Sequence, residues 1–312
     1  MHPKKVYVPA YKKLLRSKSL RLKILSVLDF FPDTLMVKIQ YFLYFGRMVN
    51  VRQPVRFSEK LQWYKLSYRD PLMTKCVDKV CVRDFVRERG LSEILTAEYA
   101  VYHRAEDIDF DALPNRFVAK YNNGAQRNLI VKNKKNMQKT DLLNKLALWM
   151  DTPLSKLGRE WSYYDVVGKI LVEEYLEPEE DGDLTDYKFF CFNGEPAFLY
   201  VLKDRFLNGG LKLGVYDIQF NKLDVYRAGI QKLHQRVPKP KGFERMLDVV
   251  RKLSAGFPHV RVDLYNIDGR IVFGELTFYD GSGYISYEPD EFDFRAGAMF
   301  DLPAKEYRSN TF

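Results

Sequence analysis

The sequence predicts an α+β fold, and three observations carry the prediction. Val260 to Phe278 reads as two strands joined at Asn266-Ile267-Asp268-Gly269, with apolar and polar residues alternating on both sides. Asp186 to Val201 reads as a second strand pair turned at Asn193-Gly194. Around these runs lie stretches that suit helices: 34–49, a helix opening at Phe57, 70–87, 141–150 and 243–255.

The chain of 312 residues has room for one large domain or two or three smaller ones. Its 46% apolar and 15% aromatic content is ample for a packed core and excludes disordered and fibrous classes. Cys76, Cys81 and Cys191 are odd in number and unpaired in spacing, which argues against a disulfide framework and for a reducing compartment. His2, His103, His234 and His259 are too scattered for a zinc site. The net charge of +9 is uneven: residues 1–60 hold 13 Lys/Arg against Asp29, Asp33 and Glu59, and the remainder holds 37 against 38. A basic segment of this kind is drawn to phosphates, anionic lipid or anionic polymer.

Taken in order, residues 4–30 interleave basic residues with Leu14, Leu15, Leu20, Leu22, Ile24, Leu25, Val27 and Leu28. Two readings stand: an amphipathic helix on a membrane surface, and a basic helix packed on the body. Interspersed charges and the lack of a small-residue cleavage site argue against a secretory signal. Asp29, Pro32, Asp33 and Lys38 interrupt the best apolar window, so no transmembrane span is expected. Phe57-Ser58-Glu59 opens a helix with Ser58 as the expected cap. Asp70-Pro71 opens another that is expected to run through Arg87, with Lys75, Lys79 and Arg83 in one basic stripe; a solvated stripe is the usual meaning of that spacing.

Arg116 to Tyr121 reads as a strand leading into Asn122-Asn123-Gly124-Ala125-Gln126-Arg127-Asn128 and a return strand at Leu129 to Lys132. A polar loop with Gly124 between two strands is suited to wrapping phosphates with backbone N–H groups. Lys169 to Leu176 is an apolar strand ending in acids, and Asp186 and Lys188 share a face of the strand that follows. For the hairpin at 260–278, a three-residue loop over Ile267, Asp268 and Gly269 gathers Val260, Val262, Leu264, Val272, Leu276 and Phe278 on one face and Arg261, Asp263, Glu275 and Thr277 on the other. Asp263 and Glu275 then lie diagonally, about 7–8 Å apart at their backbones. Two buried carboxylates repel unless a proton or cation lies between them, and oxygen ligands suit magnesium held against phosphates.

The stretches PVRFSEKLQW, DPLMTKCVDKVCVRDFV, RFVAKYNNG, DYKFFCFNGEP and FGELTFYDGSG, in this order, resemble the TupA-like branch of the ATP-grasp superfamily, found in bacterial cell-surface polysaccharide and teichuronopeptide loci. The resemblance spans about Met36 to Pro303. It implies an ATP-grasp fold, two α+β subdomains clamping ATP, with a basic helical N-terminal arm (1–56), an N-terminal subdomain (57–115), a lid subdomain and hinge (116–180) and a C-terminal subdomain with a metal-binding hairpin (181–312).

By the same resemblance Lys79 and Lys120 reach the nucleotide phosphates from two sides, and Glu173, Glu174, Tyr175 and Leu176 form the adenine-recognising hinge. Glu180 is the ribose-binding acid and Lys188 a cation near the γ-phosphate. Asp263 and Glu275 are the Mg2+ ligands, with Arg261 on their face. Thr277 stands at the third metal position, where the family commonly has Asn, a stronger ligand. Arg127 serves as a further phosphate donor in a lid loop with a single glycine.

The implied activity is an ATP-dependent carboxylate–amine ligase working through an acyl phosphate, with ATP and Mg2+. Its expected partners are an anionic glycan or lipid-linked glycan precursor, such as a uronic acid, and an amine such as an amino acid. A glycosyltransferase, a phosphotransferase and a non-catalytic nucleotide-binding module are the alternatives. The Asp-x-Asp pairs at Asp181/Asp183 and Asp107/Asp109 read more simply as solvated loops. No motif supports nucleic-acid binding. The expected location is the cytoplasm, with the inner face of its membrane as the surface the arm would contact.

Overall fold

Aromatic and β-branched runs supply the strands, and they assemble into two sheets rather than one. The computed structural model describes residues 30–124, 127–152, 156–178, 182–205, 207 and 209–303. The expected amphipathic arm (4–30) falls almost wholly outside the described residues, as do Ala125, Gln126 and Glu180.

In chain order the elements begin with helices α1 (Asp33–Phe45), α2 (Phe57–Ser67), α3 (Pro71–Val77) and α4 (Val82–Glu88), then strands β1 (Glu98–Tyr102), β2 (Phe117–Tyr121) and β3 (Asn128–Val131). Helix α5 (Lys139–Asp151) and β4 (Ile170–Glu173) follow, then β5 (Asp186–Phe192), β6 (Glu195–Lys203), β7 (Lys212–Asp217), β8 (Lys222–Leu223), β9 (Tyr226–Arg227) and β10 (Gln231–Lys232). Helix α6 (Phe243–Ser254) precedes the hairpin β11 (His259–Ile267) and β12 (Arg270–Thr277), and the described chain ends through β13 (Tyr287–Glu288) and α7 (Glu291–Met299).

The smaller sheet has order β1-β4-β2-β3 and is antiparallel throughout. Phe117 and Ala119 alternate inward from β2 and meet Ile170, Val172, Leu142 and Leu146, so α5 covers one face. The other face presents Val118, Lys120, Leu171 and Glu173. Strand β1, which the sequence division grouped with residues 57–115, pairs with β4 in this sheet. The larger sheet has order β10-β7-β6-β5-β11-β12, with β8 alongside β7. Its centre is buried on both faces: Phe189 lies 6.0 Å from the α6 residue Phe243, and on the opposite side Phe57 of α2 meets Phe190 and Phe192 at 6.0 and 5.7 Å.

Three local expectations change. The β11–β12 turn is a two-residue Asp268-Gly269 loop, because Ile267 pairs with Arg270 and both turn residues have positive φ (50° and 94°). Such a turn would set the odd positions of the two strands on opposite faces, but a bulge at Gly274 shifts the phase again, and Asp263 stands directly opposite Glu275 instead of diagonally. The polar set therefore shares a face for a different reason than expected. Val272, opposite Tyr265, joins that polar face, while Ile271 and Phe273 take its place in the core.

The single helix expected over 70–87 breaks at Asp78 (ψ 115°), whose carboxylate accepts from the N–H groups of Val80 and Cys81. Lys75, Lys79 and Arg83 consequently point three ways. Finally, Ser58 does not cap α2. Asp293 of α7 accepts from Ser58 N and Oγ at 2.8 and 2.7 Å, and Glu59 reaches back to the N–H groups of Asn50, Val55 and Arg56. The cap comes from a helix 235 residues away in sequence.

At the core junction His259 is fully buried among Phe57, Phe190, Phe192 and Phe300. Burial pushes its imidazole down to about 4, although Nδ1 lies 2.9 Å from the Cys191 carbonyl oxygen. An unfolded chain takes up this proton near pH 6.5, so between about pH 6.5 and 4 the unfolded state binds more protons and stability falls as pH falls. From pH 7 to 5 this group costs about 2 kcal/mol. Urea unfolding at both pH values should show that share of the decline missing in His259→Gln; an unchanged decline would assign it to other groups.

Candidate active site

The antiparallel register lays the polar residues out in rows across the larger sheet. Lys188 on β5 and Glu275 on β12 flank Asp263 on β11; Asp186 and Val272 flank Tyr265 in the neighbouring row, and Arg261 stands beside Thr277. Directly opposed side chains in such rows start about 4.5–5.5 Å apart, close enough for every charge to meet its neighbour.

Arg261 is the hub. Its Nε and Nη2 donate to the two oxygens of Asp263 at 2.7 Å each, and Nη2 also donates to Glu275 Oε1 at 3.1 Å and Thr277 Oγ1 at 3.0 Å. Nη1 donates to Asp280 Oδ1. Lys188 Nζ donates to Asp263 Oδ2 and lies 3.0 Å from Asp186. Arg205 closes on Asp186 at 2.8 Å, and Arg227 lies 3.4 Å from Asp280. The result is an alternating web of acids and bases whose centre, Arg261, Asp263, Lys188, Asp186 and Asp280, is buried.

The charges tune one another. Burial disfavours the charged form of Arg261 and Lys188, but the surrounding carboxylates outweigh it and raise both above their ordinary values. Burial raises the Asp263 carboxyl above its ordinary value, against the pull of Arg261 and Lys188. Burial opposes ionisation of Glu275 as well, yet Lys188, Arg261 and Lys79 hold its carboxyl down to about 2. The Glu275 side chain is 41% exposed, so burial opposes its ionisation weakly and the three cations prevail. Glu275 and Arg205 are the members of the web with an open side.

The smaller sheet supplies the facing wall. Lys120 pairs with Glu173, which also accepts from Thr96 Oγ1 at 2.7 Å and from Arg83 at 3.4 Å. Burial disfavours the Glu173 carboxylate, but Lys120 more than offsets it and its pKa is lowered. Lys79, standing in the break between α3 and α4, donates from Nζ to Gly124 O at 2.6 Å, and its own N–H donates to Asn122 O. Burial lowers its pKa, and the Glu275 charge works against that. Lys79 thus stands within electrostatic reach of Glu275 on the hairpin and of Lys120 and Glu173 on the smaller sheet.

Other expected residues sit apart from this group. Arg127 turns its guanidinium onto the carbonyl oxygens of Trp149 and Thr152 at the end of α5. Glu174 makes a two-pronged pair with Arg270 at 2.9 and 3.0 Å and accepts from Ala97 N–H, joining the hinge to the hairpin tip. Tyr175 and Leu176 follow it, half-buried. Glu180 lies outside the described residues. Of the Asp-x-Asp pairs, Asp183 is buried and accepts from Asp204 N–H, and Asp109 caps its own loop.

Asp280, Asp186, Arg227 and Arg83 were missed by the sequence reading. Asp186 had a signal, since it shares the face of Lys188. Asp280 lies past the strand in a left-handed run (Gly281 φ 53°, Ser282 φ 56°), where no periodicity points to it. Arg83 read as surface because its helix was drawn unbroken.

Magnesium requires hard oxygen donors. Glu275, Asp263 and Thr277 provide that chemistry, but both Asp263 oxygens are engaged by Arg261 and Lys188, and among the described residues no three His, Cys, Asp or Glu side chains gather as a metal-holding group. The set fits an ion held chiefly by Glu275, with phosphate oxygens and water completing its shell, as magnesium commonly prefers. Removing the hub has a sharper consequence. Arg261→Met leaves Asp263 and Asp280 short of their principal partner, and urea unfolding should show a loss of about 3–5 kcal/mol; a loss below about 1 kcal/mol would mean that Lys188 and Arg227 suffice.

The family model described as TupA-like ATP-grasp matches residues 59–301. No curated protein matches the sequence. Among solved structures, an L-amino acid ligase from Bacillus licheniformis is 13% identical, with TM-score 0.45 over 96% of this chain and 66% of that one. A D-alanine–D-alanine ligase from Helicobacter pylori is 15% identical (TM-score 0.43, 79% and 68%), and one from Bacillus anthracis complexed with ATP is 16% identical (TM-score 0.38, 65% and 53%). The chain thus spans about half the length of the Bacillus anthracis enzyme. The match over 59–301 bears out the resemblance read from the five motifs, and the chain belongs to the TupA-like ATP-grasp family.

Proposed function

We propose that the protein is an ATP-dependent carboxylate–amine ligase that modifies a cell-surface polysaccharide or its precursor, for example by joining an amino acid to a uronic acid. One observation supports the reading: Lys79, between α3 and α4, lies within electrostatic reach both of Glu275, which shares its face of the larger sheet with Lys188 and Arg261, and of Lys120 on the smaller sheet. Transfer of a phosphoryl group needs cations at the transferring oxygens and a site closed to water, and this arrangement supplies five charged groups around one cleft.

In this reading the substrate carboxylate attacks the γ-phosphorus of ATP, the bond to the β-phosphate oxygen breaks, and ADP leaves. The amine then attacks the acyl carbon of the acyl phosphate; phosphate departs, the amine gives up a proton, and an amide remains. Lys79 and Lys120 hold phosphate oxygens from the lid side, which requires Lys120 to exchange Glu173 for the nucleotide. Val118 and Leu171 give an apolar wall beside the hinge for a flat base. Arg261 and Lys188 stabilise negative charge as it shifts during transfer. Magnesium, held by Glu275 with Asp263 and Thr277 beside it, would neutralise charge on the phosphate oxygens. The lid loop around Asn122 and Gly124 excludes water, which would otherwise hydrolyse the acyl phosphate. Asn122 and Asn123 brace that loop through the carbonyl oxygens of Val167, Tyr163 and Val166.

Peripheral contact with an anionic membrane at the cytoplasmic face belongs to the same reading, because lipid-linked glycan precursors are found there.

ADP release measured against a panel of uronic acids, with and without amino acids, tests the assignment. Turnover that requires both is the expected result. Amine-independent ADP release would instead mean phosphotransfer to the acceptor, and consumption of nucleotide sugar would mean glycosyl transfer. Glu275→Gln should lower ATP turnover by about 100-fold or more with the fold retained; unchanged ADP release would sink the ligase reading.

A further inference from the structure

Helix α1 has two unlike faces. Met36, Val37 and Tyr41 are fully buried against the body, and the Tyr41 hydroxyl meets Ser58 Oγ at 3.0 Å. At 100° per residue, Leu35, Ile39, Phe42 and Leu43 fall within an arc of about 100° on the opposite side. They are 43, 39, 49 and 40% exposed. Phe30, Met48 and Val55, which bracket the helix in sequence, are exposed as well. Seven of the fourteen exposed large hydrophobic residues in the described chain therefore lie between positions 30 and 55. A single exposed leucine is ordinary, whereas an apolar stripe along one helix marks an interaction surface.

Charge decides what kind of surface fits it. The acid of α1, Asp33, is paired with Arg159 at 3.1 Å, and exposed Lys38 flanks the stripe. Residues 1–29, which lead directly into the helix, carry eight Lys/Arg against Asp29 alone. Two copies meeting through this stripe would bring two such basic segments together, at an electrostatic cost. An anionic bilayer receives both features at once: apolar side chains at the boundary of headgroups and acyl chains, and cations among the lipid phosphates.

We propose that the exposed face of α1 is a membrane-docking surface for an anionic bilayer, with Leu35, Ile39, Phe42 and Leu43 inserted and Lys38 at the headgroups. The helix lies on the membrane and does not span it. Thirteen residues reach about 20 Å, short of the roughly 30 Å hydrocarbon core. No described helix is long and apolar enough to cross a membrane. The proposal stands independently of the ligase reading.

The test uses the full chain, sedimented with phosphatidylcholine vesicles with and without one-third phosphatidylglycerol, for the wild type and for Ile39→Ser/Phe42→Ser. This double substitution leaves the charge untouched. Expected are binding to the anionic vesicles that weakens with salt, and a loss of about tenfold or more in the double variant at an unchanged melting temperature. Equal binding by variant and wild type would overturn the proposal, since the basic segment alone would then account for it. So would an absence of vesicle binding, or a wild-type dimer that the substitutions split. A drop in melting temperature of about 5 °C or more in the variant would show the stripe covered by the chain's own residues 1–29, and would overturn it too.

Discussion

Taking a charge out of water costs several kcal/mol even after the protein relaxes, and this chain does so repeatedly on one face of one sheet. The cost is met by placing each buried charge against opposite ones. Asp263 lies between Arg261 and Lys188, Asp280 between Arg261 and Arg227, and Asp186 between Lys188 and Arg205. No strand in the centre of the larger sheet can slip by one residue without tearing this web, so the electrostatics specify the register as firmly as the aromatic core does. The web also explains how a charged cluster can sit inside a folded core: the interior that makes charge expensive holds each cation against its carboxylates in a fixed orientation.

The second sheet is placed against the first by separate ties. The Glu174–Arg270 pair joins the hinge to the tip of the hairpin, and Arg83 draws Glu173 and Glu98 towards α4. Lys79 has one foot in each structure, bonded to the lid loop at Gly124 and coupled electrostatically to Glu275. These ties are polar and few, whereas each sheet has its own apolar core.

Much of this was legible in the sequence. Period-2 alternation located the strands that carry Lys120, Lys188, Arg261 and Asp263, and Asn-Gly and Asp-Gly marked the turns. What escaped has physical causes. The break at Asp78 depends on a side chain capping its own backbone, which competes with a helix-like pattern that spacing alone reads as continuous. The cap of α2 comes from Asp293, a partner no local window contains. Asp280 sits in a loop whose left-handed backbone has no periodic signature. At the hairpin two errors cancelled: the turn is one residue shorter than expected, and the bulge at Gly274 restores the phase.

That bulge carries a further meaning. A β-carbon at Gly274 would lie 3.0 Å from the Asp263 carbonyl oxygen, so any side chain at the extra residue of the ladder would press on the backbone of Asp263. Moved one position along, the irregularity would fall on Glu275 and turn its carboxylate out of line with Asp263. The spacing between the two carboxylates is thus written in a residue that has no functional group. A substitution at Gly274 would shift the two carboxylates relative to each other while leaving both in the molecule.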